Sequence, residues 1–183
     1  MNFLGSIPLL LSAHNRNIPI LFISSLAAHS RTKSWYGFTK LCLENTVKRL
    51  EGYSVRLGVL PLELRGNRFA NLGKKCGAKQ LIFCPGNKQT FFYLTNLDCL
   101  EKFIVSFLSD RLRSDTIYKI ASEYPITYKD LFLGKQIIYV NIYILQFLVK
   151  VVEIFAAKSF GLDSLKSLSC QITSEEFASL ESV

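Results

Sequence analysis

"IPILFISSLAAHSRTKSWYGFTKLCLENTVKRLEGYSVRLGV", residues Ile18 to Val59, decides the fold. Its first seven residues, Ile18–Ser24, form a nearly continuous apolar run, the mark of a strand covered on both faces in a parallel sheet. A polar loop, "AHSRTKS", follows. "WYGFTKLCLENTVKRLEG" then predicts a long helix closed by Gly52, and Tyr53–Val59 predicts a second strand. Upstream, "GSIPLLLSAHNRN" predicts a helix capped by Ser6, with Pro8 in its first turn and its end at Asn15–Asn17. Helix, strand, helix and strand in order, with short connections, describe α/β winding over a parallel sheet.

Beyond Val59 the pattern changes. Pro61–Gly66 reads as a loop and Phe69–Cys76 as a short helix. "KQLIFCPGNKQTFFYLTN" reads as strand, Pro-Gly turn and strand. "NLDCLEKFIVSFLSDRL" has apolar residues at Leu97, Leu100, Phe103, Ile104, Phe107 and Leu108, a 3.6-residue period and hence a helix. "DTIYKIA" predicts a strand. Thr127 and Asp130 have cap spacing before "YKDLFLGK", and Thr173 with Glu176 has capping-box spacing before a last short helix. Between them Ile137–Phe160 predicts an apolar helix. Neither repeats nor low-complexity segments occur.

The 183 residues, 49% of them hydrophobic and 20% charged, suffice for one domain with a real core. The net charge of +8 comes from scattered groups: Lys48-Arg49, Lys74-Lys75 and Arg111/Arg113. None is a basic run interleaved with aromatics, so no nucleic-acid partner is expected. Excess positive charge of this kind suits an anionic small molecule such as a phosphate ester. The five cysteines are odd in number and lack CxxC spacing, and only two histidines occur. A disulfide framework and a metal site are therefore not expected, and a reducing, cytoplasmic compartment is. "QIIYVNIYILQFLV", Gln136–Val149, lies between two lysines and is too short to span a bilayer. It reads as a buried or interfacial helix, and no transmembrane segment is expected.

The chemistry concentrates in the loop and helix after the first strand. Tyr36 and Lys40, at i and i+4, share one helix face. An ammonium beside a phenol favours the phenolate, whose ordinary pKa is about 10. Tyrosine then becomes a usable general acid or base. Ser25 stands at the carboxyl end of the buried strand, where open α/β sheets hold their ligands. By spacing alone, Tyr-x-x-x-Lys also fits an aromatic packed at a helix start followed by an exposed lysine.

The ordered segments "FISSLAAH", "WYGFTKLCLE", "YSVRLGVL", "RGNRFANLGKKCGAKQLIFCPGNKQTFFYLTNLD" and "TIYKIASEYPITYKDL" resemble the extended short-chain dehydrogenase/reductases. Within them, the similarity is to the NAD-dependent nucleotide-sugar epimerase/dehydratase group, close to bacterial UDP-sugar 4-epimerases and hexulose 4-reductases of surface-polysaccharide pathways. It runs over nearly the whole chain. It implies α/β architecture: a partial doubly wound, Rossmann-like parallel sheet with a small C-terminal α+β substrate-binding part. Residues 1–60 would be the C-terminal half of the dinucleotide-binding domain. Residues 61–183 would be the substrate-binding region interleaved with the last Rossmann elements and C-terminal helices. It implies NAD(P) as cofactor and a nucleotide-sugar substrate. Tyr36 would be the catalytic acid/base working with hydride transfer at sugar C4. Lys40 would be its electrostatic partner and, with Tyr36, would contact the cofactor. Ser25 would bind the substrate hydroxyl, and His29 takes the place of the family's usual aromatic. Asn67 would lie near the nucleotide phosphates; a helix cap is the other reading of that residue. Many relatives have an arginine before "TFFYL", contacting the diphosphate. Here Gln89 stands there, leaving Lys88 or Arg65 to substitute.

The family's opening strand, Gly-x-x-Gly-x-x-Gly turn and pyrophosphate-binding helix have no counterpart, because no three of the ten glycines have that spacing. The expectation is a chain lacking the N-terminal half of the Rossmann domain. The strand at Ile18–Ser24 would then show an unpaired edge and an apolar face, and would call for the missing half or a homodimer partner. The alternative is a non-enzymatic remnant or interaction module that cannot bind NAD on its own.

Overall fold

The computed structural model describes residues 3–60, 81–109, 111–113, 116–156 and 162–182. Helix α1 (Phe3–Asn15), strand β1 (Leu21–Ser25), helix α2 (Trp35–Arg49) and strand β2 (Tyr53–Leu57) follow in the predicted order. Strands β1 and β2 pair in parallel, with Leu21 opposite Tyr53 and Ser25 opposite Leu57. Strand β5 (Ile117–Ile120) lies parallel on the other side of β2, and the short β8 (Glu181–Ser182) lies parallel to β5. The sheet order is β1-β2-β5-β8.

Helices cover both faces of this sheet, which makes it doubly wound. On one face Ile20 and Phe22 pack with Leu43 and Val47 of α2, and Leu10 and Ala13 of α1 close the cluster. On the other face Val55, Leu57, Tyr118 and Ile120 pack against Phe103 of α3 (Leu97–Leu108), which is fully buried. Side chains alternate between the two faces along each strand, and on the α2 face β2 contributes the polar Ser54 and Arg56. The result is a mixed α/β fold with a Rossmann-like parallel sheet.

A smaller α+β part sits beside the sheet. Strand β3 (Leu81–Pro85) pairs in parallel with β7 (Gln136–Val140), and β4 (Phe91–Phe92) pairs antiparallel with β6 (Ile126–Thr127). Ile82, Cys84, Phe92 and Tyr128 form its core. Helix α4 (Tyr128–Leu131) opens with the expected capping box between Thr127 and Asp130. Helices α5 (Ile142–Ala156), α6 (Leu162–Ser169) and α7 (Ser174–Ala178) complete the described chain.

Several sequence expectations are corrected. Helix α1 begins at Phe3, so Ser6 lies inside it and does not cap it, and Pro8 lies past its first turn. A proline there has no N–H to give and removes one rung of the helix. Gly52 is not the left-handed residue that ends α2; that role falls to Glu51, at φ 56°. Gly52 serves close approach, since a Cβ would meet Val47 Cγ1 at 2.7 Å and Ile20 Cβ at 3.0 Å. The strand, Pro-Gly turn and strand order holds, and each of the two strands pairs with a distant partner.

Residues 137–160 are not one helix. The run Ile137–Val140 belongs to strand β7, as its β-branched and aromatic content favours. The Asn141 side chain then accepts from Tyr143 N–H at 2.9 Å and starts the helix afresh. The first strand begins at Leu21 and is not covered throughout, since Ile23 is 38% exposed. Among the described residues no helix is long and apolar enough to cross a membrane. The loop expected at Pro61–Gly66, the helix expected at Phe69–Cys76, and Arg65 and Asn67 lie outside the described residues.

Candidate active site

The first turn of α2 is built by two side chains and one glycine. Ser34 is the N-cap, and its hydroxyl accepts from Gly37 N–H at 2.9 Å. Asp163 of α6 accepts from the N–H groups of Trp35 and Tyr36, the latter at 2.8 Å. These are first-turn donors that a helix cannot satisfy internally. Gly37 is required by space: a Cβ there would lie 2.2 Å from both Ala27 O and Thr32 Oγ1. The loop after β1 therefore packs directly on the turn that carries Tyr36.

Tyr36 and Lys40 come together as the i, i+4 spacing predicts. Lys40 Nζ lies 5.9 Å from the centre of the Tyr36 ring and 4.7 Å from that of Phe22. Tyr36 is 42% exposed and Lys40 only 7%. The lysine ammonium donates to Ile23 O at 2.6 Å. Burial holds the Lys40 pKa below its ordinary value, and the carboxylate of Glu44, one turn further along α2, pulls it back up. A charged ammonium held beside an accessible phenol is an arrangement that can stabilise a phenolate.

Ser25 ends β1, and its hydroxyl accepts from Ala27 N–H at 3.2 Å. The neighbouring Ser24 hydroxyl is buried and, among the described residues, has no hydrogen-bond partner. By strand alternation Ser24 follows Phe22 onto the α2 face, whereas Ser25 faces the other way. His29 is buried and its Nε2 bonds to Cys170 O at 2.8 Å, so it is held by the C-terminal segment. Lys88 lies exposed in the turn after β3, where Thr90 and Asn87 form the hydrogen bonds.

Two features escaped sequence reasoning. Arg56 of β2 forks onto Glu44 of α2, with Nε to Oε1 at 2.9 Å and Nη2 to Oε2 at 2.8 Å, both side chains being buried. An arginine inside the apolar run "YSVRL" was its signal, since buried charges come paired. Asp163 had no such signal, because nothing local links it to residues 127 positions earlier. Glu176 was read correctly only in part. Its backbone N–H is taken by Thr173, but its carboxylate bonds Ser30 N and Ser30 Oγ, both at 3.0 Å. It also faces Arg56 Nη1 at 3.6 Å.

No known family profile and no curated protein sequence matches the chain. Solved structures do. ADP-L-glycero-D-manno-heptose-6-epimerase of Helicobacter pylori superposes with a TM-score of 0.56 at 15% identity, over 77% of this chain and 57% of that one. MoeE5 in complex with UDP-glucose and NAD superposes at 0.58 and 13% identity, over 75% of this chain and 56% of that one. The dTDP-glucose 4,6-dehydratase DesIV of Streptomyces venezuelae, with NAD bound, gives 0.55 and 16% identity, over 76% and 53%. These likenesses establish a Rossmann-like α/β fold. The chain spans little more than half the length of these structures.

Proposed function

We propose that this chain belongs to a nucleotide-sugar-acting, NAD-dependent enzyme of the epimerase/dehydratase type, performing UDP-sugar 4-epimerisation or 4-keto reduction. The observation that carries the reading is the Lys40 ammonium 5.9 Å from the ring of the exposed Tyr36, beside the carboxyl end of a parallel strand that ends in Ser25. Solved structures sharing the fold support it: MoeE5 is in complex with UDP-glucose and NAD, and DesIV has NAD bound.

On this reading the Tyr36 phenol exchanges the proton of the sugar 4-hydroxyl, and Lys40 stabilises the phenolate. Ser25 holds the same hydroxyl by hydrogen bond. Its present partner, Ala27 N–H, is a donor, so the Ser25 proton stays available to an acceptor. The residues fit the nicotinamide-ribose end of the cofactor: Lys40 commits one N–H to Ile23 O and has two more. When bound, NAD would accept the hydride in epimerisation, and its reduced form would donate the hydride in 4-keto reduction. On the same reading residues 1–60 would serve the cofactor and the later part the sugar, and Lys88 and Asn67 are the residues assigned to the diphosphate.

A second reading is a non-enzymatic remnant or interaction module that cannot bind NAD on its own. Turnover decides between them. The full chain, given UDP-hexose and NAD, is expected to form the 4-epimer or a 4-keto sugar. Tyr36→Phe is expected to lower the rate by about 10²–10⁴-fold. Absence of product and of NAD binding by the full chain would support the remnant.

A further inference from the structure

The C-terminal segment holds the loop between Ser25 and Tyr36 from outside. Asp163 accepts from Trp35 and Tyr36 N–H. Cys170 O accepts from His29. Glu176 takes both donors of Ser30. Three points of one segment thus fix four residues of one loop and helix start. With Ser34 holding Gly37 N–H, the first three donors of α2 are all satisfied.

We propose that Asp163 is a positioning residue for Tyr36, setting both the orientation of its helical turn and the charge it feels. Two oxygens on adjacent N–H groups fix the rotation of the turn, and so the direction of the phenol relative to Lys40. The carboxylate also lies at the positive end of the α2 dipole and offsets it. A negative charge there disfavours the phenolate that Lys40 favours. The two opposed charges reach Tyr36 from α6 and from one turn along α2. The other titratable groups around α2 are Arg56 on β2, held by Glu44, Lys166 on α6, the exposed His14 on α1, and Arg31 and Lys33 in the loop before α2. The inference rests on the reading of Tyr36 as the proton-transferring group, but its test does not require turnover.

The full chain, labelled with 13C at tyrosine Cζ, reports the titration of Tyr36, assigned by loss of its signal in Tyr36→Phe. Amide exchange at Trp35 and Tyr36 reports the hydrogen bonds. In Asp163→Ala both amides are expected to exchange at least about tenfold faster, and Tyr36 to titrate at lower pH. Asp163→Glu is expected to restore both. Asp163→Asn is expected to restore part of the protection while keeping the lowered titration, since it retains an acceptor without charge. Unchanged exchange and titration in Asp163→Ala, or failure of Asp163→Glu to restore them, would overturn the proposal. Should Asp163→Ala not fold, the Asn and Glu variants carry the comparison: identical Tyr36 titration in the two refutes it. Loss of turnover in wild type with these shifts intact would count against the enzymatic reading alone.

Discussion

Lys40 Nζ lies 2.6 Å from the carbonyl oxygen of Ile23, and that carbonyl points to the open side of β1. Ile20 O and Leu26 N–H bond to β2, so by parallel-ladder alternation the groups of Ile23 face away from it. Among the described strands β1 pairs only with β2. The lysine that accompanies Tyr36 therefore also satisfies a free-edge carbonyl of the sheet. Its burial gives that contact a pH signature. Below the folded pKa of Lys40 both states carry the proton, and the burial penalty is complete. Between that pKa and the ordinary 10.5 the unfolded chain binds more protons, so stability rises with pH. Urea unfolding at about pH 7 and about pH 10 should show this rise in wild type and a flatter response in Lys40→Met.

Gly37 should not accept a side chain. A Cβ would overlap the backbone oxygen of Ala27 and the hydroxyl of Thr32, each at 2.2 Å, and the backbone oxygen has little freedom to retreat. Gly37→Ala is expected to cost about 1–3 kcal/mol in chemical denaturation. The Tyr36 turn should shift with it.

The Glu44–Arg56 pair should behave as a buried unit. Arg56→Met leaves the Glu44 carboxylate buried, with its side chain 1% exposed, and is expected to cost about 3–5 kcal/mol. Glu44→Leu combined with Arg56→Met should cost less than Arg56→Met alone. Urea midpoints of the two single variants and the double variant check this.

Much of the fold was legible because β1, α2 and β2 each carry one dominant signal: an apolar run, a helical period and a second apolar run. The failures have physical causes. Residues 137–149 are apolar but for Asn141 and Gln146, so periodicity could not divide strand from helix, and the break is made by a single Asn141 hydrogen bond. The strands on either side of the Pro-Gly turn were legible, but their partners are tertiary choices that local sequence does not carry. Within the site, Tyr36 and Lys40 were legible because a helix brings i and i+4 together. Asp163 and Glu176 were not, because they reach residues more than a hundred positions away.

Cys84 should be the last of the described cysteines to react. It is 1% exposed, and burial pushes its thiol up to about 11. Cys42, Cys99 and Cys170 are partly exposed. Brief alkylation of the native chain near neutral pH, read by mass spectrometry, should leave Cys84 unmodified.

The most direct test of the proposed site is a titration of the full chain with NAD and UDP-hexose, followed at the 13Cζ resonance of Tyr36. Saturable movement of that resonance, abolished in Lys40→Met, is the result the site predicts. A Tyr36 resonance that stays fixed up to millimolar concentrations of both ligands, about the weakest end of ordinary substrate affinities, would contradict it.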